Sequence, residues 1–234
     1  MDRLNFFCVV CGSSLDADLT AAATCERCDA GWRTMELAGG LLAEAGRGCH
    51  VVLRRFARDP VFQRSRILDL SFDPVIEREL KCISTYRKLV FRGQGPREDW
   101  SDWQVPISGG VPGRLPFQDT VIDALIVRDL VRVVPDARRF IDECFRILVH
   151  GGSLILQDRY RWPFPDETVS DEVAAAADPA DTRPASDSPA IRIRELGASL
   201  LTQLHDAGFI AYFERPAMSV DVLYRGGFAV GIKP

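Results

Sequence analysis

From Arg66 onward the chain alternates between two hydrophobic rhythms. Short apolar runs, "RILDL", "KLVF", "DALIV" and "SLILQ", read as buried strands. Between them, apolar residues recur three and four positions apart, as on one face of a helix. Ile76, Leu80 and Ile83 form such a stripe after "SFDP", where Asp73 can cap the helix and Pro74 can take its first position. Phe140, Ile141, Cys144, Phe145 and Leu148 form another after Asp136, predicted to stop at Gly151–Gly152. A third, over "IRIRELGASLLTQLHDAG", carries Ile193, Leu196, Leu200 and Leu204 and ends at Gly208. "HVVLRRFARDPVFQRS" is also expected to be helical, and "FIAYFERP" and "GFAVGIKP" to close the fold as an antiparallel pair. Strands alternating with helices predict an α/β fold with a doubly wound, mostly parallel sheet. Cys82 and Cys144 fall on apolar helical faces and are expected in the core.

Two segments break the rhythm. "RGQGPREDWSDWQVPISGGVPGR" reads as a long loop, with Trp100 and Trp103 covering the cleft, meeting a partner or packing the loop down. The Ala/Asp/Pro/Ser-rich stretch at about 165–190 has little to bury and reads as a mobile excursion or lid.

The N-terminus has a different chemistry. Cys8 and Cys11 form "CVVC", and Cys25 and Cys28 form "CERC". Each turn presents two thiolates, and two such turns complete a tetrahedral sulfur shell for Zn2+. With every position filled by sulfur the zinc is expected to be structural, supplying folding energy to a small zinc ribbon over residues 1–40. Residues 41–234 then form the main domain. The net charge of −4 argues against a nucleic-acid binder. No apolar run reaches the roughly 18 residues of a membrane helix, and "MDRLNFFCVVCG" does not read as a signal peptide. The expectation is a soluble, cytoplasmic protein with no membrane partner.

The segment from Leu115 to Pro163 carries a resemblance. Leu115–Phe117, Asp119, Asp123, Arg146, Leu148, Gly151 and Gly152 fall in the register "LPF-x-D-x-x-x-D" followed by "R-x-L-x-x-G-G". "LTQLHDAGF" matches an "L-x-x-A-G-F" element before the last strands. This resembles the class I S-adenosylmethionine (SAM)-dependent methyltransferases, over roughly residues 60–234. A four-cysteine ribbon ahead of such a domain also occurs in that family. The resemblance implies a seven-stranded, Rossmann-like sheet with SAM at the carboxyl ends of its strands.

Three elements that hold SAM in the family are missing. The glycine-rich turn after the first strand is "DLSFDP", with Ser71, Phe72 and Asp73 where bare backbone is typical. The second strand ends at Arg92 where an acid is typical, and "GVPGR" before "LPF" carries no acid. Conventional SAM binding is therefore expected to be lost. Arginines stand at the strand ends instead: Arg92, Arg128, Arg132, Arg159 and Arg161. Arginine binds carboxylate, sulfate and phosphate bidentately. With Ser71 they are expected to hold a small anionic substrate, with Asp73, Asp129 and Asp158 as acid–base groups or as anchors for the arginines. The favoured reading is an enzyme of methyltransferase fold repurposed in a biosynthetic (natural-product) pathway for an elimination or cyclisation. The alternatives are a genuine SAM-dependent methyltransferase with an atypical pocket, and a non-catalytic partner that activates another enzyme. His50, His150 and His205 are scattered, and His150 is expected to cap a helix end.

Overall fold

The computed structural model describes residues 6–15, 24–46, 52–91, 104–105, 114–131, 134, 136–158, 169–170, 193–194, 198–214 and 228–234. In chain order the elements begin with Phe6–Phe7 (β1) and Ser14–Leu15 (β2), then helices Trp32–Glu44 (α1) and Leu53–Phe56 (α2). Next come Ile67–Leu70 (β3), Pro74–Leu80 (α3), Arg87–Lys88 (β4), Val90–Phe91 (β5), Gln104–Val105 (β6), Ile122–Arg128 (β7) and Ala137–Ile147 (α4). The chain closes with Leu148–Gln157 (β8), Val169–Ser170 (β9), Ile193–Arg194 (β10), Ala198–Asp206 (α5), Ile210–Glu214 (β11) and Phe228–Ile232 (β12).

Among the described residues the main sheet has six strands in the order β4-β3-β7-β8-β12-β11. β4, β3, β7 and β8 run parallel; β12 is antiparallel to both β8 and β11. β5 follows β4 after a single residue and pairs in parallel with β6 in a separate ladder.

Strand residues alternate between two cores, because successive side chains point to opposite faces. Ile67, Ile126, Ile155 and Val230 pack with α1, α2 and α3 on one face. Leu68, Leu125, Leu154 and Ala229 pack with α4 and α5 on the other. The parallel strands β3, β7 and the second half of β8 are buried on both faces, which is why they read as continuous apolar runs.

The four cysteines belong to the first of these cores, together with Val10, Leu37, Leu41 and Phe228. The expected boundary at residue 40 falls inside α1, and Gly40 packs on the sheet. A Cβ there would lie 2.7 Å from the Phe228 ring and 3.0 Å from Ile155. The cysteine segment and the sheet therefore share one hydrophobic layer.

Other sequence expectations change. α4 ends at Ile147 and Gly151–Gly152 lie within β8. Lys233 closes the helix end instead, its ammonium donating to the Phe145 and Leu148 carbonyls. Gly151 has φ +74, and a Cβ on Gly152 would meet the Val149 and Asp123 carbonyls, so both glycines serve a kinked strand start. His150 lies in the strand, not at a helix end, and its Nδ1 bonds the Pro234 carbonyl. Ile193 is in β10, paired with β9, and α5 spans Ala198–Asp206; Leu196 lies outside the described residues. Cys144 is buried as expected, but Cys82 lies just past the end of α3 and is exposed. The excursion at 165–190 is described only at Val169–Ser170; the remainder, Trp100, Trp103 and His50 lie outside the described residues.

Gly39 and Gly40 give a sharp contrast. A Cβ on Gly39 meets nothing within 4 Å. Gly39→Ala should stabilise by up to about 1 kcal/mol through helix propensity. Gly40→Ala should destabilise by about 1 kcal/mol or more, because overpacking against a buried ring outweighs the same gain. Thermal unfolding of the two variants should show shifts of opposite sign.

Candidate functional site

Cys8, Cys11, Cys25 and Cys28 are all buried, and their Sγ atoms lie within 4.8 Å of one another. Cys8–Cys28 and Cys11–Cys25 are each 3.6 Å apart, one from each CxxC turn. A zinc tetrahedron with bonds of about 2.3 Å has sulfur–sulfur edges of about 3.8 Å, so the four thiols fit a metal. The turns are set by backbone bonds: Gly12 and Asp29 donate to the Cys8 and Cys25 carbonyls, with Gly12 and Asp29 both at positive φ. The Ser13 hydroxyl lies 3.1 Å from both Cys11 and Cys25 sulfur. Burial pushes the Cys8 thiol up to about 11 and raises Cys28 as well. For Cys25 burial acts the same way, but the Ser13 hydroxyl and backbone N–H groups outweigh it and hold the thiol near 6. Four sulfurs this close cannot all ionise without a cation, and a bound divalent metal supplies it.

The second feature is the turn after β3. Asp69 is fully buried, accepting from the Ser71 N–H and the Tyr86 hydroxyl; burial raises its carboxyl pKa. Phe72 has φ +55, the left-handed conformation that glycine adopts freely and a bulky residue rarely does. The glycine-type backbone shape is thus kept with a phenylalanine in it. Asp73, 3% exposed, caps α3 by accepting from the Val75 and Ile76 N–H groups at 2.9 and 3.1 Å.

Asp73 also accepts from the Thr34 hydroxyl at 2.6 Å and forms an ion pair with Arg128. Beside it, Arg33 makes a bidentate pair with Asp129 at 2.8 and 2.9 Å. Gln157, at the end of β8, donates to the Arg33 carbonyl and to Glu36. The first turn of α1 is therefore fastened to the carboxyl ends of β3, β7 and β8. In open α/β sheets that edge is where ligands bind. A cavity of about 530 Å3 remains there, lined by Asp29, Thr34, Ser71, Phe72, Arg128 and Asp129 among others.

The structure brings together four of the expected cleft residues: Ser71, Asp73, Arg128 and Asp129. Arg128 is already engaged by Asp73, and Asp129 by Arg33, so the bonds these groups make are internal. Asp158 is buried at the end of β8. Arg92, Arg132, Arg159 and Arg161 lie outside the described residues.

Sequence reasoning missed Arg33, Thr34 and Glu36. Glu36 is 9% exposed, and burial pushes its carboxyl up to about 7, against the Gln157 hydrogen bond and the charges of Arg33 and Arg128. The spacing of Met35, Ala38 and Leu41 could have revealed the helix, but the segment reads as part of a ribbon ending at residue 40.

The metal reading predicts one zinc per chain by elemental analysis, lost in Cys25→Ser. The Glu36 shift predicts a pH dependence. Folded Glu36 keeps a proton that the unfolded chain releases near its ordinary value of 4.5. That stabilisation is complete below about pH 4.5 and fades as pH rises through about 7. Glu36→Gln should gain on the wild type by about 2 kcal/mol between pH 5 and pH 8, read by thermal unfolding at each pH.

Residues 89–156 match the family described as methyltransferase domain. No curated protein matches the sequence. Among solved structures, one similar chain is from the complex of the Haloferax volcanii Trm112 methyltransferase activator with a methyltransferase. It is 16% identical, with 82% of this chain and 90% of that chain covered and a TM-score of 0.47. A SAM-dependent methyltransferase from Methanosarcina mazei is 17% identical, covering 74% and 96%, with a TM-score of 0.44. One from Mesorhizobium loti is 16% identical, covering 76% and 94%, with a TM-score of 0.46. The motif residues behind the match hold one another: Arg146 donates to Asp119 and to the Leu115 and Phe117 carbonyls, and Asp123 accepts from Arg66. No helix among the described residues is long and apolar enough to cross a membrane. The chain is a mixed α/β protein that resembles the class I SAM-dependent methyltransferases, with a methyltransferase-domain match across its central strands and a four-cysteine cluster ahead of them.

Proposed function

We propose that this methyltransferase-fold protein does not hold SAM in the family's usual manner and acts as an enzyme of a different kind. The observation that carries this reading is the bridge Thr34–Asp73–Arg128. It joins α1, the turn after β3 and the end of β7 across the place where the family's glycine turn faces its cofactor. Ser71, Phe72 and Asp73 put side chains where that turn offers backbone, and the Asp73 carboxylate is already saturated. SAM in its ordinary pose does not fit these residues.

The substrate we propose is a small anionic metabolite undergoing elimination or cyclisation with loss of a sulfate or phosphate group. Its anionic character rests on the arginines that end the strands in the sequence, Arg92, Arg128, Arg132, Arg159 and Arg161. In such a step a carboxylate takes a proton from carbon, the electron pair forms the new bond, and arginine receives the departing anion. The pairing of Asp73 and Asp129 makes them anchors in this scheme and not proton carriers. Glu36, whose carboxyl is pushed up to about 7 by burial, is bonded to Gln157 and is not among the residues that line the cavity.

A second reading, a SAM-dependent methyltransferase with an atypical pocket, is favoured by the left-handed backbone kept at Phe72. Calorimetric titration with SAM separates the two. No heat of binding is expected for the zinc-loaded protein; a Kd of about 1 μM, or roughly −8 kcal/mol, would overturn the first reading.

A further inference from the structure

We propose that metal binding at the four cysteines and closure of the first turn of α1 over the strand ends are one coupled event. The inference rests on the metal reading of the cysteines and concerns how that centre controls the cleft. Two physical links join them. One runs along the chain: Cys28 is followed by Asp29 in the left-handed conformation, by fully buried Ala30, and by Gly31, which starts α1. The Cys25 N–H donates to the Ala30 carbonyl at 2.9 Å, so the cysteine turn fixes where the helix begins. Arg33 and Thr34, the residues that reach Asp129 and Asp73, follow directly after Trp32.

The other link runs through α3. Arg78 donates to the Cys28 carbonyl at 2.6 Å, and α3 is the helix that Asp73 caps. Both halves of the bridge, Thr34 on α1 and Asp73 at the start of α3, are thus tied to the same cysteine turn. The opposite turn is anchored on α2, with Leu53 and Arg54 donating to the Val9 and Val10 carbonyls, and the Arg54–Glu79 pair joins α2 to α3. A metal that joins Cys8 and Cys11 to Cys25 and Cys28 cross-links the two turns directly; without it, α1 keeps its apolar packing and its first turn loses that cross-link.

Coupling is reciprocal, so a change that opens the bridge must weaken metal binding by the same factor that metal binding closes it. Thr34→Val removes the hydroxyl donated to Asp73 and touches no cysteine. Asp129→Asn weakens the hold on Arg33 at a side chain that is 35% exposed, where folding is not at stake. The test uses the full chain and Zn2+ itself, with affinity measured against a competing chromophoric chelator and hydrogen exchange measured with and without metal. Both variants should keep one zinc per chain and bind it about fivefold or more weakly. Stripping the metal from the wild type should remove exchange protection at Met35–Leu37 while β7 and β8 stay protected. Equal zinc affinity in both variants and the wild type would overturn the coupling alone. Protection at Met35–Leu37 that survives metal removal would do the same, as would loss of protection throughout β7 and β8. A wild-type chain that binds no zinc would overturn the metal reading, and the coupling with it.

Discussion

The buried carboxylate of Asp73 is the point on which the cleft depends. It accepts from two backbone N–H groups of α3, from the Thr34 hydroxyl of α1 and from the Arg128 guanidinium of β7. A carboxylate taken out of water is expensive unless its oxygens are fully met, and here four donors meet them. Removing one partner of a buried ion pair costs about 3–5 kcal/mol, because the other charge is left uncompensated. Three elements from distant parts of the chain are therefore held in one geometry by one side chain.

The rest of the architecture follows from how that point is supported. α1 lies on the sheet face that also holds the cysteines, and Leu37 and Leu41 are fully buried there. Its first turn projects over the carboxyl ends of β3, β7 and β8, where Arg33 and Gln157 add further bonds. The four-cysteine cluster thus acts less as an appended ribbon than as the corner piece of one core layer. A metal held there would sit in the same core layer as the first turn of α1.

Much of this was legible in the residues. The strands β3, β7 and β8 announce themselves as apolar runs, since both faces are covered. Asp73 followed by Pro74 reads correctly as a helix start because capping is a local interaction. The cysteine spacing and the register of Leu115, Asp119 and Arg146 are local patterns too. What the sequence hid is of two kinds. Gly40 reads as the edge of the ribbon, although it lies inside α1, where the Phe228 ring leaves no room for a Cβ. The pairs Arg33–Asp129 and Thr34–Asp73 join residues far apart in the chain, and no spacing rule connects them. The partner of Arg128 is hidden for the same reason: Asp73 meets it only once the chain has folded.

The central claim is that internal ion pairs occupy the cofactor edge of the sheet. Nuclear magnetic resonance of the Arg33 and Arg128 guanidinium groups addresses it most directly. The account predicts distinct, slowly exchanging Nη–H signals for both arginines, unchanged when SAM is added in excess. Signals averaged by free rotation and solvent exchange, or pairs that dissolve as SAM binds, would contradict it.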